Sequence, residues 1–383
     1  MVSPGVLIVG AGVAGPALAH WIARFGWRPT VVERSKELRS GGSAVVLRGS
    51  ALPVADEMGI SPRLRELRTR ATHVSLLDAG GRRIARFPLN SDPARGVEVT
   101  RSDLSAVLNR RAADDAEFVF DDTITAIEQD ESGVDVTFRR AAPRRFDLVI
   151  GADGIHSAVR RLVFGPEQGF TTDLGMYGAT VPLAPGAIND PNDMIVLGAP
   201  GRMLALHPSR DTPLVNFTFR AAPAHEYDRH DVALRKQIVA EAYADTGWRA
   251  PEFIAAYQEH PAPYFDPLTN VRLAKWSRGR VALLGDAASA AALLGDGSSM
   301  AIAGAHVLSQ ALAAHPDDHA RAFRVYEAKH RREVEKRQRR VSLLASFMVP
   351  RTRYGLAVRN AVARAAGFRH SRPTQHTEPA SAA

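Results

Sequence analysis

VLIVGAGVAGPALAHWIARFGWRPTVVERS, residues Val6–Ser35, is the stretch on which the fold is decided. A short apolar run closes on Gly10. Ala17, Leu18, Trp21, Ile22 and Phe25 then recur at helical spacing until Gly26, and Thr30–Arg34 is a second apolar run ending in charge. Strand, glycine turn, helix and strand within about 30 residues make a βαβ dinucleotide unit. In GAGVAG, Gly10 makes the tight turn, Gly12 leaves room for a pyrophosphate against the backbone, and Gly15 lets helix and strand pack closely. The helix start offers unpaired N–H groups to phosphate. Glu33 stands 18 residues beyond Gly15, where a carboxylate accepts hydrogen bonds from an adenosine ribose diol and disfavours a 2′-phosphate. Ala14 and Arg34 complete the expected contact set. The unit by itself leaves NAD and FAD both open.

Two later stretches decide between them. DLVIGADGIHSAVRRLV (Asp147–Val163) and RGRVALLGDAASAAALLGDGSSMAIAGAHVLSQAL (Arg278–Leu312) resemble the internal fingerprints of the class A flavoprotein monooxygenases, the aromatic-hydroxylase family. GGSAVVLRGSA (Gly41–Ala51) and TRSDLSAVL (Thr100–Leu108) make the N-terminal half most similar to the tetracycline-inactivating and related actinobacterial branch. The resemblance runs in order through residues 5–315.

It implies an FAD cofactor, with Arg101 on its flavin side and Asp286 at the ribityl or pyrophosphate part. Backbone N–H groups of Gly297, Ser298 and Ser299 would face the isoalloxazine ring. Asp153, with Gly154, Ser157 and Arg160, is linked in the family to FAD and NAD(P)H, and Arg48 to the flavin or pyridine-nucleotide edge. No second GxGxxG occurs, so NADPH or NADH would be a transient co-substrate. The activity implied is insertion of one atom of molecular oxygen, through a flavin C4a-hydroperoxide, into a hydrophobic aromatic or polyketide-like small molecule. No catalytic side chain is assigned, because a phenol can activate itself. One departure stands out: Ser289–Leu294 and Gly295-Asp296-Gly297 lack the family's proline and are shorter by one residue. That loop motivates an alternative, a redox-neutral cyclase or isomerase with structural FAD.

The expected architecture is α/β: a Rossmann-like FAD-binding domain with a parallel sheet (residues 1–70, 98–165 and 266–345) and an inserted, mostly antiparallel substrate lobe (71–97 and 166–265). A C-terminal helix (346–368) and a disordered tail (369–383) follow. Gly178–Leu183, Met194–Leu197, Met203–His207 and Leu214–Arg220 are the lobe's expected strands. Met203, Phe217, Phe219 and Tyr264 are its expected cavity lining. Residues 41–67 are expected to hold a loop and helices. Thr100–Ala113 is an expected helix capped by Ser102 or Asp103. Helices are also expected over Gly297–Ala313, Arg321–Val349 and Thr352–Ala366, the last two broken at Pro350.

Composition narrows the function classes. With no cysteine in 383 residues, disulfides, thiolate catalysis and cysteine-held metals are excluded, so redox chemistry needs a cofactor. His225/His230 have the wrong helical spacing and Pro316 interrupts His315/His319, so no metal is expected. No apolar run reaches the roughly 18 residues of a membrane span, and the first strand starts too early for a signal peptide, so a cytoplasmic protein without integral membrane segments, monomeric or homodimeric, is expected. The net charge of +8 is uneven: Arg321–Arg340 holds nine Lys/Arg against three Glu. This charge run is read as a solvated helix face rather than a nucleic-acid surface. It also motivates a third reading, a non-catalytic protein that docks on an anionic partner through this helix.

Overall fold

The computed structural model describes residues 4–38, 43–89, 95–221, 231–291, 295 and 297–370. β1 (Gly5–Val9) is apolar throughout because it lies mid-sheet with both faces covered; Val6, Leu7 and Ile8 are fully buried. The chain turns into α1 (Ala14–Arg24) and returns as β2 (Arg28–Glu33), parallel to β1. β3 (Ala44–Leu47), α2 (Ala51–Glu57) and α3 (Ser61–Glu66) follow. β4 (His73–Leu77) and β5 (Arg83–Pro88) form an antiparallel hairpin. β6 (Val97–Thr100) pairs with β3, a strand absent from the sequence expectation.

α4 (Arg101–Ala112) is capped by Thr100, not by Ser102 or Asp103: Thr100 Oγ1 accepts from the Asp103 N–H at 3.1 Å and donates to its carboxylate at 2.7 Å. The hydroxyl thus satisfies one free N–H of the helix start, and the Asp103 carboxylate fixes the hydroxyl's orientation. β7 (Glu117–Phe120) joins the edge of the first sheet, and β8 (Ile124–Gln129), β9 (Val134–Phe138) and β10 (Arg144–Phe146) form a small antiparallel sheet. β11 (Leu148–Gly151) returns beside β1 and leads to α5 (Ala158–Val163).

β12 (Thr171–Pro182), β13 (Asp193–Ala199), β14 (Arg202–His207) and β15 (Leu214–Arg220) come next, then α6 (Val232–Tyr243), α7 (Ala250–Glu259) and β16 (Tyr264–Val271). With the β4–β5 hairpin they build a seven-stranded sheet ordered β16-β12-β15-β14-β13-β4-β5, antiparallel except where β13 meets β4. β16 carries this sheet on to Val271. β17 (Ser277–Arg278), β18 (Val281–Leu283), α8 (Asp286–Ser289), α9 (Gly297–Ala314), α10 (His319–Met348) and α11 (Arg353–His370) complete the chain. The first sheet is ordered β17-β18-β11-β1-β2-β7, all parallel but for β17. Among the described residues no helix is long and apolar enough to cross a membrane.

Candidate active site

Gly10, Glu33, Asp153 and Asp286 lie at the carboxyl edge of this parallel sheet. Gly10 follows β1, Glu33 ends β2, Asp153 follows β11 and Asp286 follows β18. β11, β1 and β2 are neighbours and β18 flanks them, so segments up to 276 residues apart in sequence meet along one edge. In an open parallel sheet that edge is where ligands bind.

The three turns are interlocked by close packing. A Cβ on Gly10, whose φ is +111°, would lie 2.5 Å from the Ala152 carbonyl oxygen, so the first turn sits directly on the second. A Cβ on Gly285 would come within 3.1 Å of the Ala14 methyl, joining the third turn to the first. Arg160, fully buried, donates from Nη1 to the Ala287 carbonyl at 3.0 Å and from Nη2 to that of Ile155 at 2.5 Å, tying the second turn to the third. A methyl on Gly15 would collide with the Gly10 carbonyl, whereas one on Gly12 would meet nothing within 4 Å. Gly15 therefore serves packing, and Gly12 borders open space.

That space is lined by donors. α1 has no side-chain cap, which leaves its first N–H groups to a ligand. Glu33 accepts from Ala11 N at 2.9 Å and Ser35 N at 3.0 Å, which fixes its carboxylate at the rim and leaves lone pairs for a diol. Arg34 is exposed beside it. Asn109 Nδ2 and Ser105 Oγ hold the Ala11 carbonyl from α4, at 2.9 and 3.3 Å. Asp153 is occupied otherwise: its carboxylate accepts from Ser157 Oγ at 2.5 Å, Ala158 N at 2.6 Å and Val159 N at 3.2 Å, so it caps α5. Burial pushes that carboxyl up from its ordinary value.

At the far end of the edge Arg101 Nη2 lies 3.5 Å from Asp286 Oδ2, with both side chains part-exposed. Gly297, at the start of α9, is close enough that a Cβ would lie 3.6 Å from Asp286 Oδ1. Ser298 and Ser299 are buried. Ser299 Oγ donates to the Val46 carbonyl at 2.8 Å and accepts the Arg48 N–H at 3.1 Å, so it pins β3 rather than facing outward. The Arg48 side chain is exposed. The positive end of the 18-residue α9 thus points toward the cleft beside Asp286. An open backbone cradle, a ribose-height carboxylate and a second helix start fit an extended dinucleotide. Ala292–Leu294 and Asp296 of the proline-free loop lie outside the described residues, as do His225, His230 and the tail from residue 371.

The seven-stranded sheet brings a polar cluster to Ser43. Thr180 pairs with both Asn216 and Tyr264, so these three share the face turned toward Ser43, ahead of β3. Thr180 Oγ1 and Ser43 Oγ both donate to Asn216 Oδ1, at 2.8 and 3.1 Å. That leaves the Asn216 amide nitrogen without a hydrogen bond among the described residues, on a half-buried side chain. Phe217 and Phe219, expected in the cavity wall, point to the other face. Both are buried, and they pack edge-on against Tyr243 at ring-centroid distances of 5.0 and 5.8 Å under α6. Met203 is buried with Met176, Ala345 and Val349, while Tyr264 remains half-exposed at the sheet edge.

His156, outside the sequence expectation, bridges the two sheets. Its ring lies 3.0 Å from Glu167 and 3.1 Å from Asp266 on β16, and these two carboxylates raise it to about 9.

The comparisons agree with this geometry. A family model described as "FAD binding domain" matches residues 4–340. The uncharacterized protein Rv1260 of Mycobacterium tuberculosis is 37% identical over 88% of this chain and 92% of its own length. A flavin-dependent monooxygenase of Legionella longbeachae is 32% identical over 90% of each chain. The crystal structure of tetracycline destructase Tet(55) superposes with a TM-score of 0.84 at 29% identity, covering 94% of this chain and 95% of that one.

Proposed function

The chain belongs to the FAD binding domain family as a flavin-dependent monooxygenase, and on that premise we propose that it spends NAD(P)H and molecular oxygen to hydroxylate a hydrophobic aromatic or polyketide-like small molecule. The observation that carries this reading is the convergence of Gly10, Glu33 and Asp286 at the carboxyl edge of β1, β2 and β18, with Ser43, whose carbonyl accepts the Arg101 N–H, hydrogen-bonded to Asn216 of the second sheet. The likeness to a tetracycline destructase supports a tetracycline-like substrate.

When bound, FAD would supply the redox chemistry that side chains lack, hydride acceptance from NAD(P)H and activation of dioxygen, with one oxygen atom going to the substrate and the other to water. The protein's own groups bind and orient. Glu33 receives the adenosine ribose, Gly12 lets the pyrophosphate pass close to the α1 N–H groups, and Arg101 with Asp286 holds the flavin end. The helix start at Gly297 stabilises negative charge on the neighbouring ring. Asn216 offers its free amide to a substrate oxygen, with the amide held in orientation by Ser43 and Thr180. No side chain is assigned as a general base.

An NADPH- and NADH-oxidation screen of the FAD-loaded protein against phenolic and polyketide compounds tests the proposal. Oxidation stimulated several-fold by one compound class, with a hydroxylated product by mass spectrometry, is expected. Background oxidation unaltered by any compound, with product formed without net oxidation, would instead establish the redox-neutral alternative.

A further inference from the structure

We propose that the outer faces of α10 and α11 form a docking surface for an anionic lipid bilayer. Two independent features coincide there. The first is charge: residues 321–364 carry thirteen Lys/Arg against three Glu, a net of +10, while the whole chain carries +8, so everything else sums to −2. Arg332, Arg340, Arg351, Arg353 and Arg364 make no ion pair among the described residues. The second is apolar exposure. Of the large hydrophobic side chains that are exposed, the most exposed are here: Tyr354 at 88%, Leu343 at 76% and Val358 at 65%.

The spacing makes each feature continuous. On α10, Arg332, Lys336, Arg340, Leu343 and Phe347 follow one another at intervals of three or four residues, so a basic stripe runs into an apolar one along a single exposed face. On α11, Tyr354, Val358, Val362 and the alanines between them lie opposite the buried stripe of Arg359 and Ala363, with Arg353 and Arg364 flanking. Basic flanks around an apolar ridge match the phosphate and acyl-boundary layers of an anionic membrane.

Other occupants fit less well. A second copy would bring two basic faces together in an isologous contact. Nucleic acid offers nothing to Leu343, Val358 and Val362. The chain's own residues 371–383 contain no large apolar side chain with which to cover the ridge. A peripheral dock of this kind is independent of the oxygenase reading.

The test is co-sedimentation of the FAD-loaded full chain with phosphatidylglycerol–phosphatidylcholine vesicles and with phosphatidylcholine alone. Partitioning to the anionic vesicles is expected to exceed the neutral ones by about tenfold at low salt, and to collapse at about 0.5 M NaCl. Arg332→Gln/Arg340→Gln and Leu343→Ser/Tyr354→Ser should each lower it by about tenfold. All four positions are exposed, so flavin absorbance and melting temperature should be kept. Equal or absent partitioning to the two vesicle types overturns the proposal. So does retained binding in the apolar variant, competition by duplex DNA, or a concentration-dependent dimer that both variants abolish.

Discussion

Gly12 and Gly15 stand three residues apart and predict opposite failures. A methyl on Gly15 has the Gly10 carbonyl in its way, so Gly15→Ala must push α1 off the sheet; a loss of roughly 3 kcal/mol or more is expected, seen as low soluble yield or a lowered denaturation midpoint. A methyl on Gly12 enters free space, so Gly12→Ala should leave the apo-protein's melting temperature within about 2 °C while weakening FAD about tenfold by titration. Wild-type FAD affinity in Gly12→Ala would mean that the pyrophosphate does not cross there. Asn216 is the counterpart on the second sheet. Asn216→Leu should raise the substrate KM about tenfold, the cost of one hydrogen bond, with FAD affinity unchanged. A KM like that of wild type in this variant removes Asn216 from the substrate site. Glycines and carboxylates of the cofactor edge were legible in sequence because each does a job that few residues can do. The substrate side was not: alternation put Val215, Phe217 and Phe219 on one face of β15, but periodicity does not say which face a later helix will cover. α6 and α7 take the aromatic face, which leaves the polar Asn216 to the Ser43 side.

At the level of elements, β1, β11 and β18 announced themselves as apolar runs leading into glycine, β2 as an apolar run ending in charge, and the lobe strands as runs between Pro and Gly turns. β3 did not, since its four residues, of which only Leu47 is buried, owe their conformation to pairing with β6 and to Ser299 on α9. α6 escaped notice because its apolar residues do not keep to one side; only Val239 and Tyr243 are buried. The His156 bridge was equally unreadable, as its three members lie on a loop, a short helical turn and β16, up to 110 residues apart. It makes a definite prediction. The folded-state value of His156 is raised above the ordinary 6.5 to about 9, so its contribution is complete below pH 6.5 and disappears as the pH rises through 9. Urea unfolding of wild type and His156→Gln should differ by on the order of 3 kcal/mol at pH 6 and converge near pH 10. A gap constant across that range would show that the ring packs without being charged.

Across the whole molecule, the 30-residue α10, about 45 Å long, is the element that both halves share. Its first part belongs to the nucleotide half: Tyr326 donates to the Leu283 carbonyl, Glu327 receives the Trp276 N–H, and Gln338 donates to the Val271 and Ala290 carbonyls at 2.8 and 3.1 Å. Its last turn belongs to the seven-stranded sheet, where Ala345 and Val349 pack with Met176 and Met203, and Arg220 caps the Val349 and Ala345 carbonyls at 2.8 and 2.9 Å. Ser342 lies between the two sets of contacts and is exposed. Proline there removes one helical hydrogen bond and clashes with the Gln338 carbonyl, at a cost of about 3 kcal/mol, without touching either core. Wild type should therefore unfold in one calorimetric transition, which FAD raises as a whole. In Ser342→Pro the lobe should melt first, in a separate transition indifferent to FAD, while added FAD still raises the transition of the nucleotide half. A single transition in the variant, shifted by FAD as in wild type, would mean that the interface between the sheets, and not the helix, couples the cofactor edge to the seven-stranded sheet.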